Sequence, residues 1–184
     1  MTLTPMLIER MLKREASISV GASTARSMGK GTVEEARNFL RSMEIKLFLA
    51  NFDDAFQGIL NATTTELSQS LTCRSWGAAR KFLNIFLRGV LYNRYLCGHY
   101  DFQVVESFLE IPLDSHVANG LRKETGGKSR LPRWKNIIGL DQKVSTLYQE
   151  FAREVAGRPQ YQVARVHLDV VYWRASHSEA VSIG

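Results

Sequence analysis

The stretch from Ser75 to Cys97 constrains this chain most. Phe82, Leu83, Phe86, Leu87, Val90 and Leu91 recur along it at three- and four-residue steps, which places them on one face of a helix and does not match the two-residue period of a strand. Arg80, Arg88 and Arg94 interrupt that face. The spacing therefore predicts a long central helix, buried on a broad apolar stripe and edged by cations.

The rest of the chain is read against this helix. Thr4-Pro5 opens a short amphipathic helix through about Lys13, and residues 17 to 31, rich in Gly, Ser and Ala, read as a mobile arm. Thr32-Val33-Glu34-Glu35 has the form of a capping box, with Phe39, Met43, Leu47 and Ala50 following at helical steps. Asn51-Phe52-Asp53-Asp54 breaks the pattern and offers caps for a helix through Ile59 and Leu60, and Thr63-Thr64-Thr65-Glu66 repeats the capping arrangement. Leu140 to Ala156 forms another amphipathic helix, stopped by Gly157 and Pro159. Residues 164 to 175 fit a strand or a helix. A lone strand would leave its backbone without partners, so a helix is expected.

The fold class expected is all-α, a compact multi-helix domain. It divides into an N-terminal helix and arm (1–31), the main helical domain (32–175) and a C-terminal tail (176–184). At 184 residues and 45% hydrophobic, the chain suits one domain with a sizeable core. Two distant cysteines, Cys73 and Cys97, suit neither a disulfide framework nor a four-thiolate metal site. The N-terminus lacks a long apolar segment, because Met6-Leu7-Ile8 is followed at once by Glu9 and Arg10. A soluble cytoplasmic monomer is expected, nucleoid-associated in a prokaryotic cell, with no membrane partner, no cofactor and no metal.

Lysine and arginine exceed aspartate and glutamate by 24 to 18, giving a net charge of +6 that favours a polyanionic partner, nucleic acid first. Arg122, Lys123, Lys128, Arg130, Arg133 and Lys135 gather around Gly126-Gly127, with only Glu124 opposing them. Such a loop is either a solvated surface or a phosphate contact, since glycine lets backbone N–H groups and cations approach a phosphate together. Gly127-Lys128-Ser129 is not a nucleotide-binding loop, because the earlier glycine that the motif requires would fall at Arg122.

Two residues carry possible chemistry. In Ile111-Pro112-Leu113-Asp114-Ser115-His116-Val117, Pro112 ends what precedes and Asp114 has the short acceptor side chain of a helix N-cap. A purely structural cap accounts for it. Lys81 lies early in the central helix beside Arg80 and an apolar face. Such a lysine either snorkels to solvent or, if partly desolvated near a helix N-terminus, has its ammonium form disfavoured and becomes an amine nucleophile.

Taken together, Trp76-Gly77-Ala78-Ala79-Arg80-Lys81-Phe82-Leu83-Asn84 and Pro112-Leu113-Asp114-Ser115-His116-Val117 resemble the helix-hairpin-helix DNA glycosylase superfamily. In that family a lysine starts the second helix of a glycine-containing hairpin, and an aspartate lies in a V-D-T-H-V-like segment. Lys81 and Asp114 match those positions. The hairpin here lacks the usual first glycine and proline. The 33-residue separation of the two groups is nearest to the archaeal 8-oxoguanine glycosylase branch. Asn51, in Leu49-Ala50-Asn51-Phe52, matches the polar residue that fills the gap left by an extruded base, although an asparagine after a helix also serves as a C-cap.

The resemblance implies a base-excision glycosylase acting on double-stranded DNA at a damaged base, an oxidised base among the candidates. Lys81 would attack the anomeric carbon and form a Schiff base that permits strand cleavage, with Asp114 stabilising the cationic sugar. Phe52 and Trp76 are candidate stacking surfaces as well as core residues, and His116 is a candidate substrate contact as well as a surface group. Arg80, Arg122, Lys123, Lys128, Arg130 and Arg133 would hold phosphates. The alternative is a non-catalytic helical DNA-binding or scaffold protein, in which nothing requires Lys81 and Asp114 to share a cleft.

Overall fold

The computed structural model describes residues 3–21, 25, 28–50, 52–127 and 130–172. Among them every regular element is a helix: α1 (Pro5–Ser19), α2 (Thr32–Ser42), α3 (Phe52–Ser70), α4 (Trp76–Tyr92), α5 (Arg94–Tyr100), α6 (Ser115–Lys123) and α7 (Gln142–Ala156), with 3-10 turns at Ile45–Leu49, Phe102–Val105 and Arg165–His167. No helix among the described residues is long and apolar enough to cross a membrane.

The central helix is α4. Ser75 caps it by accepting a hydrogen bond from the Ala78 amide at 3.1 Å, and its apolar face is fully buried against α3 and α1. Gly77 lets the start of α4 lie directly on the 137–140 loop, because a Cβ there would run into the Ile137 carbonyl and Leu140. The predicted stretch does not continue to Cys97. Asn93 adopts extended backbone and its side chain accepts from the Tyr95 and Leu96 amides, ending α4 and capping α5.

Four other expectations are corrected. The first helix runs to Ser19 rather than Lys13, and the described residues Val20, Ala25 and Met28 of the expected arm are buried in the main core. Arg37 donates to the Val20 carbonyl at 2.9 Å, and Arg41 to the Ser17 hydroxyl at 3.0 Å. Thr32 forms no capping box. Its hydroxyl donates to the Met28 carbonyl, Gly31 is the N-cap, and Glu35 instead accepts from the Thr72 amide and hydroxyl at 2.7 and 2.5 Å. The helix expected to run on to Ala50 ends at Ser42, and a separate 3-10 turn follows extended Met43 and Glu44. Residues 52–70 are one helix rather than two, because Thr64 and Thr65 donate back to the Leu60 and Asn61 carbonyls instead of capping a new start.

Two apolar clusters result. One joins α1 to α5 and the other joins α6, α7 and the C-terminal turn, with Ile137 packed against both. The buried stretch 109–113 passes between them and delivers Asp114 to α6. The Gln149 side chain imitates a neighbouring strand, accepting from the Ile111 amide at 3.1 Å and donating to its carbonyl at 2.8 Å. Arg165 donates to the Phe108 and Leu109 carbonyls at 2.9 and 3.0 Å. The final element is helical, as expected over strand, with a helical turn at residues 168–172 after the 3-10 turn; the remainder of the predicted helix and the tail lie outside the described residues.

Candidate active site

Asp114 is the N-cap of α6. Its Oδ1 accepts from the His116 and Val117 amides at 2.9 and 3.0 Å, which fixes the plane of the carboxylate. The other oxygen, Oδ2, then faces α4, where Lys81 Nζ stands 3.7 Å away. The Lys81 and Asp114 side chains are 13% and 31% exposed, so the amine is largely withdrawn from water and the carboxylate opens to it. Burial draws the Lys81 pKa below the ordinary lysine value, and the Asp114 charge opposes that shift. The separation is an ion-pair distance rather than a close hydrogen bond, so neither group consumes the other.

The placement follows from the neighbours of both residues. Arg80, next to Lys81, is 3% exposed and grips Glu110, four residues before Asp114. Its Nε and Nη2 donate to the two Glu110 oxygens at 2.8 and 3.1 Å, and its Nη1 donates to the Leu60 carbonyl and the Thr64 hydroxyl at 2.8 and 2.7 Å. Asn84 also donates to Glu110, at 3.1 Å. Burial by itself would raise the Glu110 pKa, but the Arg80 guanidinium and its hydrogen bonds bring it below the usual carboxylate value. The expectation that Arg80 binds phosphate is therefore corrected: its guanidinium is spent inside the protein.

The other predicted site residues scatter. The Trp76 ring lies under the Arg80 guanidinium, 5.1 Å from its centroid, which occupies one face. Phe52 is half-buried and meets Phe108 edge-on at 5.7 Å, which places it in a core cluster rather than on an open stacking face. His116 is exposed and lines a groove of about 750 Å³ with Asn119, Arg122 and Lys123. Of the basic loop, Arg122 donates to the Pro132 carbonyl at 3.1 Å, and Arg130 makes a bidentate pair with Glu154 at 2.9 and 2.6 Å, so its charge is already matched. Arg133 is exposed. Asn51 and Lys128 lie outside the described residues.

Sequence reasoning missed the groups along the same stripe of α4. Arg88, two turns from Lys81, forms an ion pair with Asp169 and lies within electrostatic range of Asp114, Glu15 and Tyr92. Its only sequence signal was a cation interrupting an apolar face. Next to it, Tyr92, His167 and Glu106 form a hydrogen-bonded chain whose members are too far apart in sequence to suggest each other.

The arrangement offers a desolvated amine beside a rigid carboxylate, suited to attack on an electrophilic carbon whose positive charge the carboxylate then stabilises. No family model, no curated protein and no solved structure matches the chain.

Proposed function

We propose that this protein is a DNA glycosylase that uses Lys81 as its nucleophile and Asp114 as its electrostatic partner. The observation that carries the reading is the 3.7 Å approach of a desolvated Lys81 amine to a capped Asp114 carboxylate. Two groups 33 positions apart in sequence are brought within ion-pair distance, which the glycosylase reading requires and a scaffold does not.

In the reaction, a damaged nucleotide leaves the duplex stack at a cost of a few kcal/mol, roughly, and less where pairing is already impaired. The Lys81 nitrogen forms a bond to the anomeric carbon as the bond from that carbon to the base breaks and the base takes the electron pair. Asp114 stabilises the positive charge that develops on the sugar and accepts the proton that Lys81 releases. The proton held by Asp114 passes to the ring oxygen as the ring opens to a Schiff base on Lys81; the iminium acidifies the adjacent C2′–H, and when water or the released base removes that proton its electron pair expels the 3′ phosphate by β-elimination. The cap supports both roles, because two backbone N–H groups at Oδ1 hold the carboxylate still and leave Oδ2 toward Lys81.

The test is borohydride trapping on duplexes carrying 8-oxoguanine, uracil, hypoxanthine or an abasic site. A covalent complex that Lys81→Gln abolishes is expected. A variant that traps as well as the parent removes Lys81 from the mechanism, and a parent that binds duplex without trapping supports the scaffold reading.

A further inference from the structure

The groove of about 750 Å³ along α6 has one wall made by His116, Asn119, Gly120 and Lys123, spaced three and four residues apart on a single helix face, and is completed by Tyr161 and Tyr172. Neither Lys81 nor Asp114 lines it, so it is a separate site. Its size is within the roughly 300–1,000 Å³ common for small-molecule sites. The Tyr172 ring lies directly on α6, because a Cβ at position 120 would run into three of its ring carbons. That contact makes part of the wall aromatic.

Tyr172 is 7% exposed, and its hydroxyl is buried without a hydrogen-bond partner. Such a group has given up its water contacts with no return until something bonds to it. Burial holds its pKa above the ordinary tyrosine value, which keeps the hydroxyl a donor. Glu124 lines the same groove and is fixed in place: its two oxygens accept from the Tyr161 hydroxyl and from Arg158 Nη1, both at 2.7 Å. Arg158 matches its charge, and each oxygen keeps a second lone pair. Arg122 also lines the groove and donates to the Pro132 carbonyl at 3.1 Å, a neutral acceptor that places the guanidinium without cancelling its charge.

We propose that this groove binds one nucleotide unit, its base edge meeting Tyr172 and Glu124 and its phosphate meeting Arg122. A base edge presents an acceptor beside an N–H, the complements of a hydroxyl donor and a carboxylate, and its face packs on tyrosine. A guanidinium takes the phosphate by charge-assisted hydrogen bonds. A bare anion leaves the Tyr172 hydroxyl unbonded, and an uncharged ligand leaves Arg122 unused. The same unit occurs as a free nucleotide and as the phosphorylated end of a DNA strand. This site goes beyond the glycosylase reading and does not require Lys81.

The test is isothermal titration calorimetry of the full chain with the 5′-monophosphates of guanosine, adenosine and cytidine, their nucleosides, ribose 5-phosphate and a 5′-phosphorylated trinucleotide. At least one monophosphate is expected to bind one site per chain, about tenfold or more tighter than its nucleoside and than ribose 5-phosphate. Tyr172→Phe should weaken that monophosphate about tenfold without lowering Tm, because the lost hydroxyl has no partner in the free protein. Asn119→Glu, which sets a negative charge on the groove wall, should weaken it by a similar factor, and Lys81→Gln should bind like the parent. A trinucleotide that binds tighter than the monophosphate assigns the site to a strand end, and one that does not assigns it to a free nucleotide. Absence of monophosphate binding, equal binding of ribose 5-phosphate, or unchanged affinity in Tyr172→Phe overturns the proposal. A lowered Tm in Tyr172→Phe also overturns it, since the hydroxyl then serves the fold. None of these results bears on borohydride trapping by Lys81, so the two readings fail separately.

Discussion

Replacing Arg80 by methionine removes the cation that neutralises Glu110 in the interior. Glu110 is 4% exposed, and without Arg80 its side-chain donors among the described residues are Asn84 and Gln57, at 3.1 and 3.3 Å. Breaking one partner of a buried, hydrogen-bonded ion pair costs about 3–5 kcal/mol, because the remaining charge has lost its compensation. For a domain of this size 1 kcal/mol moves Tm by roughly 2–4 °C, so Arg80→Met is expected to lower Tm by ~6–20 °C at pH 7. Arg80→Met combined with Glu110→Gln removes both members of the pair, while buried Arg165 keeps its carbonyl acceptors, and should recover ~2 kcal/mol or more of the loss.

The pH dependence has a defined sign. In the parent the Glu110 pKa is lowered, so its contribution is present above the unfolded value and is lost as pH falls through the folded one. In Arg80→Met, burial is opposed only by the smaller effects of Arg165 and Asn84, so the Glu110 pKa rises relative to the parent and the variant's deficit narrows in acid. Thermal unfolding followed by circular dichroism at pH 7 and near pH 5 measures all of this. A variant within about 3 °C of the parent, or a double variant no better than the single, would refute the view of Arg80 as an interior anchor.

Four further outcomes are expected. Asp114→Asn keeps a competent cap and should change stability by less than about 1 kcal/mol in urea titration, yet slow base release at least ~100-fold in single-turnover assays. The rate of abasic-site trapping should rise with pH and level off below the ordinary lysine pKa, and in Asp114→Asn at a lower pH still, because Asp114 raises the Lys81 value; a plateau at the ordinary value would contradict the burial of Lys81. Gly77→Ala should cost on the order of 1–3 kcal/mol by forcing α4 away from the Ile137 carbonyl, as calorimetry would show. Removing Arg133 should reduce the salt dependence of duplex binding more than removing Arg130, whose charge Glu154 already matches; equal effects in filter binding across a salt series would reject that ranking.

Local signals in the sequence located the helices wherever side chains act on their own segment. The apolar spacing of 82–91, the stop at Gly157 and the acceptor at Asp114 all have their physical cause within a few residues. The failures have distant causes. Glu35 looked like the partner of Thr32 but is claimed by Thr72, 37 positions on, and Arg80 looked like a surface cation because Glu110 lies 30 positions downstream. Asn93 divides α4 from α5 with a side-chain cap inside an apolar stretch, where periodicity carries no warning. Of the candidate site, Lys81 and Asp114 were legible as a lysine on an apolar helix and a cap, and their closeness is a product of tertiary packing. The Tyr92, His167 and Glu106 chain left no periodic or motif signal, since its members come from α4, the 165–167 turn and the residue after the 102–105 turn.

The central claim is that the Lys81 amine becomes covalently bound to a DNA sugar. The most direct measurement is peptide mapping by mass spectrometry of the adduct formed with an abasic-site duplex under borohydride. A reduced sugar adduct on Lys81 is the predicted result; an adduct on the N-terminal amine or another lysine, with Lys81 unmodified, would contradict it.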